Sequence, residues 1–283
     1  MRARPARGRQ AFAWHYLRVS GVLIVALVFV HLFVMHYASL PSAATAAFVG
    51  ARWAAAGWRA FDWMLLLLAL THGVVGAHAM LRDVARRPLS RTALDVTAGA
   101  VTAAFLGLGT AVILMAAPPG DRGPLSSYTW IPSLLTGGLV TIATAAYVGV
   151  LAAGAALGMR LARRDPIGRW NYPGQWMFAI NRTAGAGVLG FLLVHVLDVA
   201  LFPFAPDLYD RTVAAYAMPY LIPMEAGLVA AVVYHAFDGL RLMLLEALDR
   251  RASRMAAPSF IALVVLTISL SLPALAVLLG WRP

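Results

Sequence analysis

The sequence predicts an all-α integral membrane protein: seven transmembrane helices, arranged as two parallel three-helix modules joined by a connector helix. Three observations lead there. Hydrophobic residues make up 61% of the chain and charged residues 12%, well outside the balance of water-soluble domains. Apolar stretches near the ~20 residues needed to cross a bilayer recur seven times. The arginines gather at alternate ends of those stretches, as the positive-inside rule requires of cytoplasmic loops.

The predicted spans are roughly 12–37, 59–81, 94–117, 129–159, 174–203, 215–240 and 256–280. The first follows an arginine-rich start and precedes a small-residue stretch, the pattern of a secretory leader. It is too long for one and carries Arg18, His31 and His36, so it is expected to be retained. Arginines at 2, 4, 7, 9 and 18, at 82, 86, 87 and 91, at 160, 163, 164, 169 and 182, and at 241, 250, 251 and 254 make four clusters. They place the amino terminus in the cytoplasm and Pro283 outside, in a multi-pass protein of the cytoplasmic (inner) membrane. The net charge of +11 thus serves topology and implies no nucleic acid. The chain has no cysteine, which excludes disulfides, thioether-linked haem and an iron–sulfur cluster housed in this chain.

Two segments share one grammar. Arg18 precedes His31 by 13 residues, and Arg182 precedes His195 by 13. Gly21 and Gly185 each follow that arginine by three. His31 to His72 is 41 residues, and His195 to His235 is 40. His72 has Gly76 at +4 and Asp83 at +11, while His235 has Gly239 and Glu246 at the same offsets. These spacings divide the chain into a module at 1–117, a connector with one transmembrane helix at 118–164, and a module at 165–283. Three spans end on the opposite side from their start, so a second module in the same sense needs one extra crossing. The fourth span supplies it, bordered by the turn-forming run from Pro118 to Pro124 and by the arginines from Arg160 to Arg169. Gly73, Gly76, Gly185, Gly187, Gly190 and Gly239 are expected where helices or a flat cofactor approach closely.

Depth makes the histidines informative. Thirteen residues put His31 and His195 about 20 Å from their arginines, and eleven put His72 and His235 about 16 Å from the same edge. An unsatisfied imidazole there is costly, and ionisable groups inside apolar helices usually serve function. Two imidazoles from facing helices can close both axial positions of a haem iron, in a site for electron transfer rather than oxygen chemistry. The doubled set therefore points to haem b, with one group or two. His78 lies roughly 240° around the helix from His72 and cannot share its cofactor. It is expected to be structural, as are His36 near the outer boundary and His15 in the interfacial Trp14-His15-Tyr16 cluster.

These residues resemble a known family. His235-Ala-Phe-Asp-Gly-Leu-Arg241, with Glu246 following, resembles the second helix of the cytochrome b subunit of succinate dehydrogenase. Asn181-Arg182-Thr183-Ala-Gly185 is similar to that subunit's His-Arg-x-[Ser/Thr]-Gly motif, and His195-Val-Leu-Asp198, Met224-Glu225-Ala-Gly-Leu-Val and Tyr234-His235 to its actinobacterial forms. Arg18-Val-Ser20-Gly21, His31-Leu-Phe, His72-Gly-Val-Val-Gly76 and Asp83 resemble the companion small anchor. The chain thus looks like both anchors fused, small anchor first.

The resemblance implies a haem b-containing membrane anchor that passes electrons from a partner iron–sulfur subunit to membrane quinone. Flavoprotein and iron–sulfur subunits would sit on its cytoplasmic face, and the anchor alone would not oxidise succinate. His72 and His235 would be the axial pair nearer the iron–sulfur subunit, with His31 and His195 holding a second, distal haem in dihaem members. Arg182, Asn181, Thr183, Arg18, Ser20 and Asp83 are the quinone-binding candidates; the ordinary role of such arginines is to snorkel to the interface or pair with haem propionates. Asn181 stands where the family has histidine, Met177 and Phe178 where a serine is expected, and Val84 where a tyrosine often follows the acid. These departures imply a quinone pocket built differently. A quinol:fumarate reductase anchor, whose direction sequence does not set, and a haem-free proton-relay transporter are the alternatives.

Overall fold

A computed structural model describes residues 8–83, 85, 87–115, 131–162, 173–219, 221–248 and 252–280. The turn expected at 118–124, the basic run 163–169, Val84, Arg86 and the arginines at 2, 4, 7, 250 and 251 lie outside the described residues.

The described elements are helical. Helix α1 (Arg9–Leu32) runs into a π-helical turn (Phe33–Tyr37) and a short 3₁₀ turn (Pro41–Ala43). There follow α2 (Ala46–Trp53), α3 (Ala56–Arg82), α4 (Pro88–Leu114), α5 (Ile131–Ala162), α6 (Pro173–Phe204), α7 (Pro206–Ala215), α8 (Ile222–Leu248) and α9 (Ala252–Leu278). Seven of these helices are long and apolar enough to cross a membrane, and each overlaps one predicted span. Pro88 opens α4 at its first turn, where its missing N–H costs nothing.

Two features depart from the prediction. The sixth span, expected at 215–240, is α8 at Ile222–Leu248. The apolar residues just before it form a turn ahead of Pro223, and the helix runs on past the apolar stretch through Arg241 and Glu246. The short helices α2 and α7 were not foreseen, being too short and too mixed in polarity to register as spans. They pack on each other. The Asp210 side chain of α7 accepts from the Ala46 N–H at 2.6 Å, and Thr45 accepts from the Phe48 N–H at 3.3 Å. Both bonds satisfy orphan donors at the start of α2.

Four helices form the centre: α1 packs on α3 and α8, and α6 packs on α8 and α3. Around this ring, α4 covers α3 and α6, α9 covers α8 and the π-helical turn, and α5 covers α6 and α7. One apolar core joins Trp53, Leu66, Leu70, Val112, Val196 and Val213, and a second joins Leu32, Val229, Val233 and Ala274. Many large apolar side chains elsewhere face outward, Phe12, Leu89, Leu114 and Ile142 among them, as a lipid-facing surface requires. The long helices are bound by polar contacts at chosen points, including Arg241 to Ser259 at 3.1 Å between α8 and α9 and His78 to Asp95 at 2.6 Å between α3 and α4. His78 is thus held by α4, away from His72, as its position on the helix implied.

Candidate functional site

The ring of central helices brings the four histidines together as two pairs. His72 of α3 faces His235 of α8 with ring centroids 6.5 Å apart, and His31 of α1 faces His195 of α6 at 6.2 Å. Each pair takes one residue from each sequence repeat. A metal ion bonded to one nitrogen of each ring needs about 2.0–2.1 Å per bond, which with the rings' own radii gives a centroid separation of roughly 6 Å. Both pairs stand at that separation.

Hydrogen bonds settle which nitrogens are free. Ser20 Oγ donates its one proton to the Tyr16 carbonyl at 2.6 Å and also lies 2.9 Å from His72 Nδ1. Ser20 must therefore accept there, which puts the proton on His72 Nδ1 and leaves the Nε2 lone pair unused. His235 Nδ1 lies 2.6 Å from Asn181 Oδ1 and 3.2 Å from the Asn181 carbonyl. Two acceptors at one nitrogen assign the same tautomer. A metal-binding imidazole characteristically has its far N–H tied to such an acceptor, which fixes ring orientation and raises basicity.

The two repeats reach this end by different routes. Ser20 lies two residues after Arg18, whereas Asn181 lies one before Arg182. The matching positions are Leu17 and Ala184, which cannot accept from an imidazole. Three residues, close to one helical turn, separate the two solutions, so each reaches the same ring from an adjacent level of its helix. Close backbone approach completes the seat. A Cβ at Gly185 would fall 2.8 Å from His235 Cε1, and one at Gly21 would fall 3.4 Å from His72 Cε1. Gly239, by contrast, faces open space.

The second pair is built otherwise. His31 and His195 line a cavity of about 260 Å³, together with His36, Arg52, Asp62 and Glu225. His195 stacks on Phe191 at 5.5 Å, one turn earlier in α6. His31 Nδ1 is buried without a hydrogen-bond partner among the described residues and stands 3.8 Å from Asp62 Oδ1. His36 also turns inward: its Nδ1 is buried without a described partner. The π-helical turn, closed by Ala38 N–H to the Phe33 carbonyl at 2.8 Å, winds more residues into each turn than an α-helix does. That brings His36 round to the side of His31, on the cavity.

Asp62, Arg52 and Tyr216 are polar groups of the cavity that the sequence did not single out, while Asp198 and Glu225 figured there only within family-like runs. The signal for Asp62 was present: it is an acid within an apolar span, ten residues before His72, and Glu225 stands ten residues before His235. Tyr216 donates to Asp198 Oδ2 at 2.5 Å. Burial pushes the Tyr216 phenol well above its ordinary value, and the adjacent Asp198 carboxylate raises it further.

At the opposite end of the central helices the charged residues exchange partners between repeats. Arg18 of the first repeat is ion-paired with Glu246 of the second, and Arg182 of the second interacts electrostatically with Asp83 of the first. Arg18 also lies over the Trp14 ring at 3.3 Å and Arg182 over Phe178 at 3.9 Å. Thr183 Oγ1 donates to the Ala179 carbonyl at 2.8 Å. The six quinone candidates thus divide: Ser20 and Asn181 hold the imidazoles, Thr183 bonds its own helix, and Arg18, Arg182 and Asp83 form a charged edge. Among the described residues there is no cluster of three or more metal-ligating side chains.

Fold and site together define a polytopic helical membrane protein with two intramembrane histidine pairs. Residues 6–108 and 159–271 match the model of the succinate dehydrogenase/fumarate reductase transmembrane subunit, and the chain belongs to that family. The unmatched stretch between them contains most of α5. Over 74 residues the chain is 43% identical to the succinate dehydrogenase 2 membrane subunit SdhC of Mycobacterium tuberculosis, a match covering 26% of this chain and 54% of that protein. The chain thus spans about half the length of this relative. No solved structure matches.

Proposed function

We propose that this chain is a haem b-containing anchor of succinate dehydrogenase, a fusion of the small anchor and the cytochrome b subunit. It would sit in the cytoplasmic membrane with its amino terminus in the cytoplasm. The observation that carries the reading is the matched state of His72 and His235: each has Nδ1 tied to an oxygen acceptor of its own repeat, and the two rings face each other 6.5 Å apart.

The residues suit haem. His72 and His235 would hold one group, and His31 and His195, beside the cavity, a second. Haem supplies reversible one-electron transfer when bound. The protein's part is positional. Ser20 and Asn181 fix the tautomers and aim the rings, Gly21 and Gly185 leave them room, and the surrounding apolar side chains exclude water. The charged edge of Arg18, Glu246, Arg182 and Asp83 lies at the arginine-rich ends of the helices, the side on which flavoprotein and iron–sulfur subunits would dock. There Arg182, with Arg18 and Asp83 beside it, is the group we assign to quinone, its guanidinium N–H groups being donors for a quinone carbonyl; Ser20, Asn181 and Thr183 lie around them with the contacts described above.

The test is a dithionite-reduced minus oxidised spectrum of the complex purified from its native membrane, with haem counted per chain. A b-type band, weakened in His235→Ala, and copurifying flavin and iron–sulfur subunits are the expected results. Absence of the band sinks the haem assignment, and a chain purified without those partners sinks the anchor assignment.

A further inference from the structure

The two histidine pairs differ in what stands behind them. His72 and His235 meet neutral oxygens, those of Ser20 and Asn181. Behind His31 stands a carboxylate, Asp62, at 3.8 Å. That carboxylate is itself held by two donors through three hydrogen bonds. Arg52 Nη2 donates to both its oxygens at 2.5 and 2.7 Å, and Trp53 Nε1 donates to Oδ2 at 2.7 Å. The Arg52 guanidinium in turn lies 4.5 Å from the centre of the Trp58 ring. Such bidentate, charge-assisted bonds fix the carboxylate in place. The Arg52–Asp62 pair is therefore an oriented dipole whose negative end faces His31.

We infer that Asp62, oriented by Arg52 and Trp53, is a positioning residue for His31 and that its charge lowers the midpoint potential of the His31–His195 centre. This rests on the haem-ligand reading above. A negative charge behind a ligating imidazole raises its basicity and favours the more positive, oxidised metal. In an apolar interior, screening is weak and the effect is large compared with the same charge in water. A neutral oxygen behind the ring, as at His72 and His235, acts in the same sense but more weakly than a full negative charge. Arg52 opposes the effect in part, from the far side of the carboxylate.

A redox titration of the haem spectrum in the intact complex tests this, with components assigned by their loss in His195→Ala and in His235→Ala. Asp62→Asn should raise the midpoint of the component lost in His195→Ala, Asp62→Glu should restore it toward the original, and Arg52→Gln should lower it, all with the other component unmoved. A midpoint unchanged in both Asp62→Asn and Arg52→Gln, or equal movement of both components, overturns the inference while leaving the haem assignment intact. If Asp62→Asn loses the component altogether, the Arg52→Gln shift decides: a fall supports the role and no change refutes it. A complex without haem overturns both readings, and the wild-type spectrum alone reveals that case.

Discussion

Ser20 accepts from His72 Nδ1 because its only proton is committed to the Tyr16 carbonyl one turn earlier in α1. The hydroxyl is 1% exposed, so water cannot take its place. Ser20→Ala removes the acceptor and frees the ring to change tautomer. Loss of such an outer partner typically costs 10–100-fold in metal-site affinity, and we expect haem retention at the His72–His235 pair to fall by about that factor. Competition with a haem-scavenging apoprotein measures it, and retention equal to wild type would show that Ser20 does not orient the ring.

The glycines beside the two rings should differ in tolerance. At Gly185 an added methyl meets His235 Cε1 at 2.8 Å and Nδ1 at 3.2 Å, whereas at Gly21 it meets His72 Cε1 at an ordinary 3.4 Å. Gly185→Ala is expected to displace the imidazole and alter the electron paramagnetic resonance signal of the oxidised haem. Gly21→Ala should leave that signal nearly unchanged. The reverse order would refute the packing argument.

Tyr216 and Asp198 yield a pH-dependent prediction. The phenol's value is raised in the folded protein by burial and then by Asp198. Its contribution is therefore fully present below the ordinary value of 10.0 and is lost as pH climbs through the raised value. Thermal unfolding followed from neutral to strongly alkaline pH should show stability declining above 10.0, and the decline should be shallower in Tyr216→Phe. At neutral pH that variant leaves the Asp198 carboxyl without its donor, at a cost of about 1–3 kcal/mol.

The charged edge should contribute little to stability. Arg18 and Glu246 are 29% and 53% exposed, and exposed pairs are worth ~0–1 kcal/mol. Glu246→Gln is expected to shift the unfolding temperature by no more than a few degrees. A collapse of the fold in this variant would show that the pair carries more than the exposure of its partners allows.

Much of this was legible in the sequence because a bilayer imposes length and polarity on each helix directly. The four histidines were visible because a repeat makes spacing comparable within one chain. The short helices α2 and α7 escaped because they lie between spans and are defined by packing on each other, with Asp210 capping α2 from 164 residues away. The start of α8 was misplaced because the residues before Pro223 are as apolar as a span, and hydropathy does not register a turn. Ser20 and Asn181 were assigned to quinone because the edge of the membrane fixed their depth; only the hydrogen bonds reveal the faces they serve. Asp62 has a match in Glu225, each ten residues before its histidine, but that spacing alone does not reveal that the carboxylate sits beside His31.

Each histidine pair, like both pairs of the charged edge, Arg18 with Glu246 and Arg182 with Asp83, draws one member from either half of the chain. Neither half therefore owns a complete centre, and two separate polypeptides would have to find each other in the membrane before any centre could exist. Continuity of the chain turns that encounter into a folding step within one molecule. Equal numbers of the two halves are then set at translation, and neither can be left over to expose a half-built site.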